Sequence, residues 1–486
     1  MGDKDEKTPL MGHHDDKPSV SLSHKEHRTV GTLSLVAIMY FTVSGGIEGT
    51  ETMIQTGGPL PTFMGIAVMG LALAVPTAMM TAELSTAFPE NGGFVLWARA
   101  AFGDGAAGMM GLLQFILTAV DSALYPALFA AYLAQAFKTD FGYLTLWTVQ
   151  GLFILSITGL NLAGVANVGH GSLLMMSFLL IPFVLITIIA LTGCFTGETV
   201  TGWAFNAANW GDSLDESKGF GDWSKFIVVL MWNMGFWERS SLITGEVKDV
   251  HQTFPPALAA TVLIVVLGYI VPLMAFVGLD SDYSAYDNGY FIEIVYRVAG
   301  PIWGAWIGAS QCVSAAGLFT NNLSTNAFML CGMGEQGMVP TLFAYRLVDT
   351  RAPVVSIALT VVVPVILMFV GDFEMVLGVD MLIYSVCLLL AIAALIVLRV
   401  TDPDLPRPYV IPVNTFWLCC MFAPSSLLCL YVIVTSTTMQ LLIAAVLFAV
   451  GAVVLYGVSD ARKAHPEWFE GVDEVSYVRP ADTLFF

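Results

Sequence analysis

The stretch Ser44–Gly49 reads SGGIEG and interrupts a long apolar segment near the start of the chain. Glycines are costly inside a helix, since each one destabilises it by about 1 kcal/mol relative to alanine. A second stretch, Trp232–Glu238, reads WNMGFWE and interrupts another apolar segment. Paired breaks at corresponding positions of two halves are typical of inverted-repeat transporters, whose unwound backbone lines a site at the membrane midplane. The two stretches therefore predict both the fold and the place of its site.

The apolar segments around these breaks are long enough to cross a membrane. A bilayer core about 30 Å thick needs about 20 apolar residues per helix. Twelve stretches satisfy this length, so the sequence predicts an all-α polytopic membrane protein with 12 transmembrane helices. They lie at about 31–55, 60–87, 106–137, 143–163, 168–193, 224–247, 256–279, 301–330, 353–370, 373–399, 415–435 and 437–458.

Composition excludes other classes of protein. Hydrophobic residues make up 56% of the 486 and charged residues only 12%, against roughly 25% charge in soluble domains. A soluble enzyme is thus excluded, and the net charge of −19 argues against a nucleic-acid partner. The seven cysteines are odd in number and show neither a disulfide framework nor metal-ligand spacing. We expect no cofactor and no metal.

The distribution of basic residues predicts the topology. Of the 19 lysines and arginines, fourteen fall in segments that would be cytoplasmic, four in outer loops and one within a span, a bias that the positive-inside rule favours. Both termini are then cytoplasmic: residues 1–30 form a disordered tail and 459–486 a second tail. The transporter domain covers 31–458, with repeat one at about 31–193, repeat two at about 224–399, and two further helices at about 415–458. The outer loops are acidic, although avoidance of basic residues alone explains part of that asymmetry.

Several carboxylates fall within the predicted spans, where an ionisable residue is functional by default. Glu48 and Glu51 flank the first break, Glu238 ends the second, and Asp121 lies midway along the third span. Together they would bind cations when ionised and take up protons otherwise, so all four are candidates for proton coupling. Asp380 in the tenth span is a candidate for an outer gate.

Other groups near the breaks complete the predicted binding site. Aromatic side chains can face ammonium groups, and backbone N–H groups at a half-helix end can receive a carboxylate. Arg239 follows Glu238 directly and would neutralise an acid, with Glu238, Glu48 and Glu51 all open as partners. The further binding candidates are Ser44, Gly45, Gly46, Tyr125, Asn233, Phe236 and Trp237.

Three loop motifs resemble those of the amino acid–polyamine–organocation superfamily of permeases. The run Phe88–Phe94 (FPENGGF) looks like the family's loop after helix 2, and Gly332–Pro340 (GMGEQGMVP) looks like its loop after helix 8. Leu405–Tyr409 (LPRPY) resembles the loop after helix 10. The similarity runs from about residue 31 to residue 458.

Within the superfamily, the chain looks most like the polyamine-uptake, L-type-like branch of plants and protists. The matching residues surround Gly45, Asp121 and Trp237. That resemblance implies a LeuT-type fold of 5+5 inverted helices, proton symport of putrescine- or spermidine-like cations, and a plasma-membrane location. It also implies that the acid after the helix 6 tryptophan, here Glu238, contacts an ammonium group. Since the loop 138–142 has no cysteine, we expect no disulfide-linked heavy chain.

Two residues depart from that branch and keep other functions open. Glu48 stands where an apolar or aromatic residue is usual, and Arg239 stands where a small polar residue is usual. They could form a compensating pair, or they could serve a substrate that has its own carboxylate. The alternative functions are therefore an amino acid permease for cationic or large neutral amino acids, and a nutrient sensor that does not transport.

Overall fold

The computed structural model is mostly helical over the residues that it describes, which are 20–22, 28–47, 49–192, 210, 221–287, 289–367 and 373–471. Within these residues, eight helices are long and apolar enough to cross a membrane. Each of the twelve predicted stretches overlaps at least one helix. The remaining four stretches contain broken, shorter or less apolar helices, so the number of spans remains a prediction.

The first half of the chain contains the first broken span and its neighbours. The helices α1 and α2 are the two pieces of that span. In α3, the turn Gly70–Ala74 is π-helical. The described helices of this half are α1 (Thr32–Val43), α2 (Glu51–Gly57), α3 (Pro59–Ala87), α4 (Phe94–Phe102), α5 (Asp104–Phe137), α6 (Tyr143–Leu162) and α7 (Val165–Thr192).

The second half contains the second broken span. Its first piece is α8 (Trp223–Met234), and its second piece is a 3-10 helix, Trp237–Glu246, which we call the 3-10 segment. Short 3-10 turns cover Tyr283–Ala285, Thr341–Ala344 and Pro466–Phe469. The other described helices are α9 (Val250–Leu279), α10 (Tyr290–Ala299), α11 (Pro301–Glu335), α12 (Val354–Leu367), α13 (Phe373–Thr401), α14 (Thr415–Thr435) and α15 (Thr438–Ala464).

Helices α5 and α11 form the centre of the bundle and pack against each other along their length. α1 is equally central, because every residue from Leu35 to Val43 is buried. By contrast, α14 and α15 expose apolar side chains such as Leu427, Val434 and Val453. Large apolar side chains on an outer face fit a lipid environment, so these two helices lie at the periphery of the membrane domain.

The loop motifs of the sequence meet at one end of the bundle. The Asn91 side chain donates to Glu246 (2.7 Å) and accepts from the backbone N–H of Gly245 (3.0 Å), which ties the Phe88–Phe94 loop to the 3-10 segment. A Cβ atom on Gly332 would lie 2.2 Å from the carbonyl oxygen of Asn91. These two motifs therefore hold the end of the second broken span by close backbone contact.

Charged pairs reinforce the same end. Arg346 donates to Glu246 (2.7 Å) and to Glu335 (2.9 Å), and all three side chains are buried. We call these three residues the inner cluster. Glu83 accepts from Arg399 and from the backbone N–H of Ile411 (2.9 Å), which fastens the loop after α13. Glu83 and Glu246 thus anchor helix ends.

Part of the segment that the sequence predicts to be disordered is ordered in the structure. A strand β1 (Val20–Leu22) pairs antiparallel with β2 (Tyr345–Leu347). Further along, the backbone N–H of Val30 donates to Glu246 O (3.0 Å). Backbone pairing of this kind needs no apolar side chains, which explains why a polar composition gave no sign of it.

Candidate functional site

The first break takes its shape from glycine. α1 ends at Val43, and the chain becomes extended at Ser44 (φ −144°, ψ 138°). Gly46 and Gly49 have φ values of 95° and 82°, a region in which residues with a side chain are strained. The Ser44 Oγ accepts from the Gly46 N–H at 3.1 Å. Glu48, a predicted site residue, lies outside the described residues.

Glu51 is the first residue of α2, and its carboxylate binds backbone N–H groups and does not line the cavity described below. Its fully buried carboxylate accepts from the N–H groups of Gly49 (2.9 Å) and Gly289 (3.2 Å). A carboxylate at a helix N-terminus is stabilised by the helix dipole and by the free N–H groups there. In this conformation, Glu51 therefore fixes the end of the first break to the loop before α10.

The second break turns at Gly235 and Phe236. Phe236 has a left-handed backbone (φ 66°), and its N–H donates to the Tyr384 hydroxyl of α13 at 2.8 Å. A Cβ atom on Gly235 would lie 3.0 Å from the Tyr384 ring, so only glycine fits there without displacement. Trp237 is buried and donates to Met234 O at 2.8 Å. This hydrogen bond links the 3-10 segment to the end of α8 and so stabilises the turn between them.

A small cavity of about 40 Å³ lies between the two breaks. This volume holds a few water molecules, so a larger ligand requires side chains or helices to move. Six predicted site residues line it, four others (Gly46, Glu51, Trp237 and Glu238) do not, and Glu48 is outside the described residues. The lining residues are Thr42, Val43, Ser44, Gly45, Gly49, Asp121, Tyr125, Leu128, Tyr132, Trp232, Asn233, Phe236, Ser314, Ala315 and Leu318.

Asp121 is the carboxylate in the wall of this cavity, and it is only 2% exposed. Its Oδ1 accepts from the Tyr125 hydroxyl (3.0 Å) and, more weakly, from Trp232 Nε1 (3.5 Å). Its Oδ2 accepts from Asn322 Nδ2 (2.7 Å) and Arg239 Nη1 (3.2 Å). Four donors from α5, α8, α11 and the 3-10 segment thus converge on one carboxylate, as a buried charge requires.

Arg239 supplies the positive charge of the site. Its side chain is 1% exposed, pairs with Asp121, and has its guanidinium 3.7 Å from the centroid of the Phe236 ring. The sequence left Glu238, Glu48 and Glu51 open as its partner. The described ion pair is with Asp121, which is distant in sequence, so proximity along the chain gave no indication of it.

Glu238 and Asp380 lie behind the cavity wall. Glu238 is 2% exposed and approaches the Tyr384 hydroxyl at 3.5 Å. Asp380 on α13 is 1% exposed, and neither of its carboxyl oxygens has a hydrogen-bond partner among the described residues. The structure therefore places both carboxyl groups inside the bundle.

A second, larger space of about 580 Å³ opens on the side that the sequence predicts to be outside. We call it the vestibule, and its wall includes Thr52, Gln55, Asp222, Asp287, Gly378 and Gln440. Trp232 and Gly49 line both the vestibule and the cavity. Asp380 does not line the vestibule, although Gly378 does. The indole of Trp232 therefore lies between the vestibule and the cavity.

The loop above the vestibule contains a charged group with a shifted pKa. Burial alone would raise the pKa of Asp280, but hydrogen bonds from the Asp282 N–H and the Arg297 guanidinium outweigh it. The pKa of Asp280 is consequently below its ordinary value. This loop leads to Gly289, whose N–H binds Glu51, so the charged cluster helps to fix the first break.

Some residues of the site escaped prediction from the sequence. Asn322 and Ser314 of α11 were not among the predicted site residues, yet Asn322 binds Asp121 and Ser314 donates to Gly45 O. Polar side chains within an apolar span were the available signal, because amides and hydroxyls in a membrane helix face protein partners.

Comparison with known proteins identifies the family. The family model described as amino acid permease matches residues 30–458. The chain belongs to the amino acid permease family. It is therefore a multi-pass membrane protein that transports small substrates, and not an enzyme. The resemblance of the loop motifs is confirmed.

Among individual relatives, two plant proteins are similar to this chain over most of its length. An Arabidopsis thaliana protein named probable polyamine transporter is 33% identical over 422 residues, covering 86% of this permease and 85% of its own length. A polyamine transporter of Oryza sativa subsp. japonica is 31% identical over 412 residues, with 84% and 74% covered. The human large neutral amino acids transporter small subunit 2 is 21% identical over 401 residues, with 78% and 71% covered.

Proposed function

We propose that this permease imports polyamines, putrescine- or spermidine-like cations, by proton symport across the plasma membrane, with both termini cytoplasmic. The observation that carries the proposal is the Asp121 carboxylate in the wall of the cavity between the two breaks. Tyr125, Trp232 and Phe236 surround the same cavity. A carboxylate framed by aromatic rings suits an ammonium group and its methylenes.

The charge balance near the breaks supports a cationic substrate. Among the described residues near the breaks, the four buried carboxyl groups of Glu51, Asp121, Glu238 and Asp380 accompany a single buried guanidinium, that of Arg239. We propose that Asp121 receives one ammonium group of a diamine and that Glu238 or Glu48 receives the other when the cavity opens. Glu48, Glu51, Asp121 and Glu238 remain the candidates for the coupled proton. The proposed architecture is the 12-helix, LeuT-type 5+5 inverted repeat.

An amino acid substrate is the second candidate, and a specific observation favours it. Arg239 already pairs with Asp121, which lowers the net negative charge facing the cavity. An α-carboxylate could bind the N–H group of Gly45, and also those of Ser44 and Gly46 when it displaces their present acceptors, Tyr40 O and Ser44 Oγ, while its ammonium binds the carbonyls of the break. The relative named for large neutral amino acids agrees with this alternative.

Uptake in a transport-deficient cell tests the proposal and separates the candidates. Labelled putrescine, spermidine, arginine and leucine are supplied in turn, with and without a proton gradient. We expect uptake of putrescine or spermidine that depends on the gradient. Uptake of leucine alone would favour the amino acid permease, and surface expression without uptake of any of the four would favour a sensor.

A further inference from the structure

Arg239 has more hydrogen-bond donors than the described residues have acceptors for them. Nη1 binds Asp121, whereas Nε and Nη2 are buried and have no hydrogen-bond partner among the described residues. The guanidinium carbon lies 3.7 Å from the centroid of the Phe236 ring. Buried donors without acceptors are unfavourable, so two donors of this side chain are available for another acceptor.

Asp380 is a buried acceptor that lacks hydrogen-bond donors among the described residues. Both of its carboxyl oxygens are buried without a partner in the described part of the chain. Asp380 lies one helical turn before Tyr384 on the same face of α13; the Tyr384 hydroxyl accepts from the Phe236 N–H, and the Arg239 guanidinium lies 3.7 Å from the centroid of the Phe236 ring. Among the described residues, a carboxyl group without a hydrogen-bond partner and a guanidinium with two unpaired donors thus lie on either side of the Phe236–Tyr384 contact.

Asp121 does not depend on Arg239 alone. Without the guanidinium, it keeps hydrogen bonds from Tyr125 (3.0 Å), Trp232 (3.5 Å) and Asn322 (2.7 Å). Two of these donors, Tyr125 and Trp232, line the cavity. An ammonium group that reaches Asp121 from the cavity can therefore take over the charge of Arg239 while the other hydrogen bonds persist.

We propose that Arg239 is an internal counter-cation, which holds Asp121 until a substrate ammonium replaces it and then binds Asp380. The exchange puts a cation beside each of the two carboxylates, so that neither Asp121 nor Asp380 lacks a counter-charge when substrate is bound. This proposal rests on the proposed function, because it requires a substrate with an ammonium group. It makes Arg239 and Asp380 determinants of affinity for cationic substrates, although neither lines the cavity.

A double-mutant cycle tests the exchange. The full-length protein is purified and reconstituted in liposomes, and the KM for putrescine uptake is measured for wild type, Asp380→Asn, Arg239→Gln and the double variant. Arg99→Gln, which removes a guanidinium from a partly exposed pair with Asp104, is the matched control. Binding is read independently as the shift in unfolding temperature that putrescine produces.

The exchange predicts non-additive effects. Asp380→Asn removes the acceptor that releases Arg239, so we expect the KM to rise about tenfold or more, as for loss of a charged hydrogen bond. Arg239→Gln should lower the KM, and Asp380→Asn should then have no further effect. Because Asp380 makes no described hydrogen bond, a purely structural role predicts an unchanged KM.

Two results would overturn the exchange. One is an unchanged putrescine KM in Asp380→Asn, which decides the matter even if the Arg239 variants fail to fold. The other is an Asp380→Asn substitution that changes the putrescine KM by the same factor in the wild-type and the Arg239→Gln protein. Equal factors would indicate that Asp380 acts on the substrate by its charge alone, without binding Arg239. Wild-type protein that takes up no amine would refute the proposed function as well, whereas amine uptake with additive effects refutes the exchange only.

Discussion

Trp232 and Gly49 meet where the two broken spans cross: a Cβ atom on Gly49 would lie 3.0 Å from the Trp232 ring. Both residues line the cavity and the vestibule. The indole can therefore rest against the first break only because position 49 has no side chain. This contact joins the backbone of the first break to α8, the first piece of the second broken span.

Replacing Gly49 by alanine should impair transport. The methyl group would press on the Trp232 ring, and the φ of 82° is strained for alanine by about 1–2 kcal/mol. We expect the uptake rate per molecule at the surface to fall about tenfold. Gly105→Ala is the control, since a Cβ there meets nothing within 4 Å; equal rates in the two variants would show that the contact is unimportant.

Asp121→Asn should weaken cationic substrates more than neutral ones. The amide keeps the shape of the side chain but removes the charge that an ammonium needs, and Arg239 loses its described ion-pair partner. Removal of one partner of a buried pair costs about 3–5 kcal/mol, so the unfolding temperature should also fall. Uptake of putrescine and leucine is compared with that of Asp104→Asn, an exposed acid; equal weakening of both substrates would indicate a packing role.

Glu238→Gln should abolish uptake while the protein still reaches the membrane. Glutamine matches the shape of Glu238 beside Tyr384 but cannot take up or release a proton. The measurement is uptake normalised to surface protein, with the exposed Glu293→Gln as control. Normal turnover per molecule, with a loss confined to expression, would show that Glu238 is structural.

Arg346→Gln should destabilise the protein through the inner cluster. The substitution leaves Glu246 and Glu335 buried without their shared cation. We expect the free energy of unfolding to fall by about 3–5 kcal/mol, measured by denaturant titration in detergent. Arg99→Gln, in a partly exposed pair, should cost less than about 1 kcal/mol; similar losses in both variants would contradict a structural role for the cluster.

The sequence was informative where local chemistry decides the structure. The glycines of Ser44–Gly49 and the Trp232–Glu238 stretch predicted both helix breaks, because glycine weakens a helix wherever it stands. The breaks in turn predicted that Ser44, Gly45, Asn233 and Phe236 would surround one space, and they line the cavity.

Sequence was less informative where partners come from distant helices. Nothing local indicates that Arg239 reaches Asp121 across 118 positions, or that Asn322 joins them. The direction of a side chain within a break is equally hard to predict, as Glu51 and Glu238 show: both flank the breaks, yet Glu51 binds backbone N–H groups and Glu238 approaches Tyr384. These orientations depend on the packing of the whole bundle.

The most direct measurement of what this permease carries is uptake by the purified protein in liposomes with an imposed pH gradient, alkaline inside. Labelled putrescine and labelled leucine are compared, with a protonophore as the control for coupling. We predict that putrescine accumulates above its external concentration and that the protonophore abolishes this accumulation. Accumulation of leucine without any uptake of putrescine would contradict a polyamine transporter.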